Sequence, residues 1–503
     1  MPVKRYILSM LVAASALVAN AQQVSCTASA APSISRIDGR TERQSDLVLS
    51  CSGGTPATAN AQVVSLNIVL FLNTNFTNRI TQSMGQFDDV LLLIDEPNTV
   101  ANPAPLLNCG NTGATDSGAS GPGVCVIMST GNPAQTYDGT QNSFGTGLCT
   151  GGSQPAPNSY GCGRPNVFQG RVAPSPNQMN AVEFFGVPLD APAGGNRTLR
   201  FTNIRGDAAF LGSPGTQILA TVAISGPGPN QWVVTMPTTN EVALSTIEPG
   251  ITATVPSPTP GTSTVHVVEG FASAWEPKNL AMTLANATGS SFPYSYLNGM
   301  TNYPPDVAQN VPGVFYNAES GFEWLNNSPN GPPSPNPPVG YGAAVADTGN
   351  PLFYAGFAAF DPGIMNSGVA DAGTRIALTF THLNGNDTVS VPTVVLLYAV
   401  GGSPTTPTGV MVLTATDVAG AGPFMQTAGS SVPAGNLAVY EVLYSDPAAM
   451  EYADIVCTLN HSGKGKGSVK VSVGFAPFYA LGATPAPTAI PRFVPATASL
   501  VLF

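Results

Sequence analysis

Residues 63–73 read VVSLNIVLFLN, and Leu66, Ile68, Leu70 and Leu72 fall on one face of a chain that alternates every two residues. That period belongs to a half-buried β-strand. It returns in Asp46–Cys51, Ala181–Val187, Thr198–Ile204, Ile218–Ile224 and Trp232–Met236. A second series follows in Arg375–Leu383, Val394–Val400, Val410–Thr416, Leu437–Tyr444, Ile455–Leu459 and Val469–Phe475. No segment carries a long helical period. The chain has 54 Gly and 47 Pro, which punctuate strands and interrupt helices. Val90–Ile94 differs, being a wholly apolar run closed by Pro97, the pattern of a strand buried on both faces. The expected fold class is all-β: two immunoglobulin-like β-sandwich domains with long Gly/Pro/Asn-rich loops.

The chain opens MPVKRYILSMLVAASALVANAQQ. Lys4 and Arg5 form a basic start, Ile7–Val18 an apolar stretch, and Ala19-Asn20-Ala21 a small-x-small cleavage site. This predicts a secretory signal over 1–21, a mature chain from Gln22, and a secreted, extracellular or cell-envelope location. Gln23-Val24-Ser25 before Cys26 is not a lipobox, and no later stretch is long and apolar enough for a membrane helix. An outer-membrane barrel ending in Phe503 is disfavoured by the proline content and the cysteines.

In an oxidising compartment the cysteines point to disulfides. Six of the seven fall within 26–162, and pairing neighbours gives Cys26–Cys51, Cys109–Cys125 and Cys149–Cys162. Each would close a short loop and contribute about 3 kcal/mol. No C-x-x-C pair is present, so zinc is not expected. Cys457, alone in a strand pattern, reads as a buried inert thiol.

The domains read as 22–262, disulfide-stapled with a long Cys-rich loop at 98–164, and 263–490, with a turn-rich insertion at 285–372 and a tail at 491–503. The boundary is placed near 262, where TVPSPTPGTST reads as a Pro/Thr linker. Charged residues make up 9% of the chain, against about 25% in ordinary soluble domains, and the net charge is −11. That balance excludes a nucleic-acid partner, which requires a basic footprint.

Several stretches resemble a group of exported β-rich proteins found chiefly in soil Acidobacteria. They include Asp46–Gly54, LLLIDEP at 91–97, Phe184–Arg205, Val268–Trp275, Glu319–Phe322 and Glu441–Pro447. The resemblance implies a bacterial envelope or secreted β-protein and assigns no activity, ligand or catalytic residue.

The chemistry-bearing motifs are weak. DDVLLLIDEPN at 88–98 has the outline of a Walker B strand, with Asp95 to hold a metal and Glu96 to polarise water. A Walker A partner is missing, because the GK pairs in 461–468 lack the following Ser or Thr. No nucleotide partner is expected, and Asp95-Glu96 reads as the polar exit from a core strand. There is no G-x-S-x-G and no S-x-x-K, and His266, His382 and His461 do not pair at metal spacing. Glu183, Glu269, Glu319 and Glu323 are the acids from which a glycosidase pair would be drawn. Arg205-Gly-Asp207 is a three-residue coincidence, and Asn384–Thr388 reads as a turn lacking the acids of a calcium loop. The aromatic residues Phe322, Trp324 and Tyr341 flank a Pro-rich loop and form a candidate sugar platform. The reading is a surface structural or adhesive protein with no catalytic, cofactor or metal site. Its partners would be a cell-surface or extracellular protein or a glycan; the alternatives are a carbohydrate-binding protein and, behind it, a glycan hydrolase.

Overall fold

The computed structural model describes residues 23–78, 87–97, 101–104, 127–139, 164–172, 179–226, 233–236, 241–277, 319–320, 370–383, 387–420, 426–427, 429, 431–434, 436–460, 468–478 and 493–503. The first part of the chain contains β1 (Gln23–Ala30), β2 (Ser33–Arg36), β3 (Glu42–Arg43), β4 (Leu47–Gly53) and β5 (Ser65–Leu72). It continues with β6 (Phe87–Ile94), β7 (Val167–Val172), β8 (Ala181–Pro188), β9 (Ala193–Thr202) and β10 (Arg205–Gly206). A four-residue helix, α1 (Ala208–Leu211), precedes β11 (Gln217–Ser225), β12 (Val233–Thr235) and β13 (Val242–Glu248). The second part holds β14 (Ile251–Thr254), β15 (Thr262–Glu269), β16 (Glu319–Ser320), β17 (Ala370–Ala372), β18 (Arg375–Thr381) and β19 (Thr388–Pro392). It ends with β20 (Val394–Ala399), β21 (Gly409–Thr414), β22 (Ser431–Ala434), β23 (Leu437–Tyr444), β24 (Glu451–Asn460), β25 (Lys470–Ala476) and β26 (Leu500–Val501).

The fold is almost entirely β and is built on two curled sheets. The first runs in the order β12-β1-β4-β9-β6-β7-β8-β5-β11-β13-β2. It curls so that β1 and β4 share one core with β5, β11 and β13: Val24, Leu47 and Leu49 pack in the same cluster as Ile68, Leu70, Ile218 and Leu244. The alternation read from 63–73 is real, since Leu66, Ile68, Leu70 and Leu72 are all buried. Val90–Ile94 is covered on both faces, and β6 is a central strand between β9 and β7. Cys26 and Cys51 are register partners across β1 and β4 and are joined by a disulfide. Cys109, Cys125, Cys149 and Cys162 lie outside the described residues, as does the segment 1–21.

Two stretches depart from the plain strand-and-loop reading. β7 returns antiparallel to β6 after the long loop, yet its sequence, VFQGRV, lacks a clean alternation. Within the loop, 127–139 docks on the first core: Tyr137 is buried, and its hydroxyl donates to the Pro188 carbonyl (2.7 Å) and accepts from the Asp190 N–H (2.8 Å).

The second sheet follows β14-β15-β24-β20-β21-β23-β18-β25-β26, with β19 joined to β24 and carrying β22. Its core gathers Val265, Val267, Trp275, Ile376, Phe380, Tyr440, Ile455 and Phe475. The six strand patterns read between 375 and 475 are β18, β20, β21, β23, β24 and β25. The chain changes sheet at Pro249-Gly250. The Pro/Thr-rich run at 255–261 is a hairpin loop between β14 and β15, inside the second sheet.

The two sheets are riveted together at Arg36, the last residue of β2. Its guanidinium makes a buried ion pair with Glu42 (Nη2 to Oε1, 2.8 Å). It also donates from Nη1 to the Ala274 carbonyl (3.1 Å) and the Thr374 hydroxyl (3.3 Å) of the second part. The rings of Phe475 and Phe493 cover it at 5.5 and 4.9 Å, within reach of a cation–π attraction. Backbone contacts close the seam, with Val494 N–H donating to Asp38 O (2.9 Å) and Gly39 bridging to Phe493. A Cβ on Gly250 would lie 2.5 Å from Arg36 Cγ, and one on Gly270 would lie 1.7 Å from Pro249 O. Only glycine allows this approach.

Arg36→Ala should cost about 3–5 kcal/mol, because it leaves the Glu42 carboxylate buried without its counter-charge. In scanning calorimetry a single transition is expected to split into two. A variant as stable as wild type would show that Arg36 does not join the sheets.

Candidate functional site

The turn after β15, residues 271–276, is where the seam opens. It is pinned from every side. The Glu269 carboxylate accepts from the Trp275 N–H (2.8 Å), and the Ser445 hydroxyl donates to the Trp275 carbonyl (2.7 Å). The Glu276 N–H donates to the Thr374 hydroxyl (2.9 Å), and Arg36 holds the Ala274 carbonyl. Between this turn and the first sheet lies a cleft of about 800 Å³. One wall comes from the first sheet, with Ile34, Asp46, Glu96 and Arg200; Phe271, Trp275 and Pro447 form the other.

Five of the charged side chains lining the cleft pair with one another. Arg36 pairs with Glu42, and Arg200 pairs with both Glu96 (Nη2 to Oε2, 2.6 Å) and Asp46 (Nη1 to Oδ2, 3.2 Å). Asp46 also accepts from the Thr202 hydroxyl (2.9 Å). This is where Asp95-Glu96 acquires a role. Both residues take the left-handed conformation, with φ of 60° and 49°, uncommon for side chains with a Cβ. The turn sends their carboxylates back across β9, where Arg197 and Arg200, three positions apart on a strand, point to opposite faces. Asp95 forms a close ion pair with buried Arg197 and accepts from the Thr198 N–H (3.2 Å), while Glu96 takes Arg200. Arg197 also donates to the carbonyls of Asp190 (3.2 Å) and Pro133 (3.1 Å) and lies 4.5 Å from the centre of the Tyr137 ring. Burial raises the Asp95 carboxyl above the usual range, against the pull of Arg197. The pair works as a clamp on β9.

Behind the turn, two carboxylates meet in the second core. Glu269 and Glu451, at the neighbouring ends of β15 and β24, are both buried. Glu269 accepts from the Glu451 N–H (3.0 Å) as well as from Trp275. The Glu451 carboxylate is buried, with the Thr408 side chain and the Asp446 backbone beside it. A charge in such a place is costly, so the neutral acid is favoured. Burial pushes Glu269 up to about 8 and Glu451 up to about 7; the Thr408 side chain and the Asp446 backbone temper the latter.

The other residues singled out from sequence are scattered. Phe322, Trp324 and Tyr341 lie outside the described residues, as do Glu323 and His461, and part of 384–388. Glu183 sits on β8 opposite Arg171, in the other sheet from Glu269, so these two acids do not face each other. Glu319 lies in β16. His266 on β15 contacts Asp454 (2.8 Å), while His382 falls just beyond β18 in a left-handed turn. Cys457 is buried in β24, with its thiol pushed up to about 12 by burial. Arg205-Gly206 forms buried β10, and Asp207 caps α1 by accepting from the Phe210 N–H (3.1 Å), so the tripeptide is built into the fold. Among the described residues no group of three His, Cys, Asp or Glu is placed to hold a metal ion, and no helix is long and apolar enough to cross a membrane.

The cleft itself escaped sequence reasoning. Its walls come from 29–48, 96, 200–205, 271–277 and 445–447, and no periodicity links those segments.

No family model and no curated protein matches the chain. Among solved structures, the C-terminal domain of the AgI/II polypeptide BspA from Streptococcus agalactiae aligns over 90% of this chain and 95% of its own. The identity is 7% and the TM-score 0.25, a likeness too low to transfer fold detail or function.

Two outcomes test this account. Asp95→Ala leaves the Arg197 guanidinium buried without its carboxylate and should destabilise the protein by about 3 kcal/mol in urea unfolding. No loss of stability would remove the clamp. For Glu269 and Glu451 the folded-state values lie above the free-acid value of 4.5, so the folded chain holds protons that the unfolded chain releases. Their stabilisation is complete below about 4.5 and is lost as pH rises through about 7 and about 8. The melting temperature should fall by several degrees from pH 5 to pH 9. Glu451→Gln, which keeps the neutral form, should flatten that slope; an unchanged slope would refute the assignment.

Proposed function

We propose that this chain is a secreted or cell-surface structural and adhesive β-sandwich protein without catalytic activity, and that its binding surface is the cleft between the two sheets. One observation carries the reading. The cleft lies beside a buried ionic rivet that holds both walls, and Arg36 and Arg200 on its lining are neutralised by Glu42, Asp46 and Glu96. Rigid walls favour recognition, because little conformational entropy is lost when a partner binds. The paired charges are committed to holding β9 and β2 in place. The export signal read at 1–21 and the low charge content support a role outside the cytoplasm.

Fractionation of the native host, with protease treatment of intact cells, tests location and accessibility together. The chain should appear in the envelope or the medium and be cleaved from outside; retention in the cytoplasm would overturn the proposal. Beads coated with the purified protein should adhere to extracellular matrix or to cells, and beads that stay dispersed against every surface would remove the adhesive role.

A further inference from the structure

The cleft's chemistry narrows what it can hold. Four arginines and four carboxylates line it, so the wall carries no net charge. The Arg36–Glu42 pair and the Arg200 pairs with Asp46 and Glu96 are internal to the wall. A charged ligand would have to shed its own water and then compete with these pairs, and nothing in the balance of the wall repays that cost. An uncharged ligand escapes the penalty.

The wall also asks for hydroxyl groups. The exposed hydroxyls of Ser29 and Ser273 both donate and accept, while those of Ser33 and Ser45 donate to the Leu244 carbonyl and keep lone pairs to accept with. Apolar surface lies among these polar groups, with Phe271 half-buried and Ile34 48% exposed. A pyranose ring matches such a mixture: its polarised C–H face suits the negative face of an aromatic ring, and its edge carries hydroxyls. The volume, about 800 Å³, falls in the range of small-molecule sites.

We propose that the cleft between the two sheets binds a neutral oligosaccharide, its hydroxyls meeting the serines of the wall and its C–H faces lying on Phe271 and Ile34. The proposal rests on reading the cleft as the adhesive surface and names the ligand class for it.

The test uses the full mature chain on an array of neutral oligosaccharides (glucan, xylan, mannan and chitin fragments) beside sialylated, uronic and sulfated ones. Retention on neutral glycans and not on acidic ones is expected. Ala31→Trp and Ser29→Tyr place rings at exposed positions of the lining without cutting into either core. Each should weaken that retention by about tenfold or more, the equivalent of 1.4 kcal/mol, with melting temperature unchanged. An array empty of neutral glycans, a preference for acidic ones, or full binding by both folded variants would each overturn the proposal. The adhesive reading fails separately, on cell fractionation and bead adhesion: a surface-exposed, adherent protein with a flat glycan array would keep the function and discard this ligand.

Discussion

One buried guanidinium joins the two halves of this molecule. Arg36 ends an edge strand of the first sheet, yet it spends its donors on Glu42, on the Ala274 carbonyl and on the Thr374 hydroxyl, and is roofed by Phe475 and Phe493. A charge buried this deeply is tolerated only when its donors are met, and here they are met by both parts of the chain. The seam is therefore an internal contact rather than a flexible joint. Gly250 and Gly270 allow the backbones to approach closely enough for it to form. The shape of the cleft beside it depends on that contact.

The same logic governs Asp95 and Glu96. In isolation the pair carries the outline of nucleotide chemistry, because a carboxylate at a strand end is what a metal site requires. In the fold the two acids are anchors. A left-handed turn sends one to Arg197 and the other to Arg200, on opposite faces of β9. The Arg200 branch reaches Asp46 and so forms part of the cleft wall. The structural clamp and the cleft wall thus share a residue, which ties the shape of the cleft to the integrity of the core strand β6.

Glu269 links the cleft to the second core. It supports the turn at 271–276 through the Trp275 N–H, while its other oxygen holds the Glu451 N–H in the adjacent strand. Two acids in one apolar setting both favour the neutral state, so the support beneath the turn is sensitive to protons.

The sequence by itself determined which segments are strands. Alternation in 63–73 and the apolar run at 90–94 record whether one face or both are shielded from water, a property that each stretch carries locally. Where that record is blurred, as in the VFQGRV of β7, the strand is set by its partners. The tertiary structure alone decided the rest. Arg36 sits in SISRIDGR, a stretch with no chemical signature, and its partners lie up to 338 positions away. Periodicity reports exposure but not which surfaces meet. Meeting depends on sheet order, register and curl, so the rivet, the neutral cleft and the role of Asp95-Glu96 appear only once distant segments are brought together.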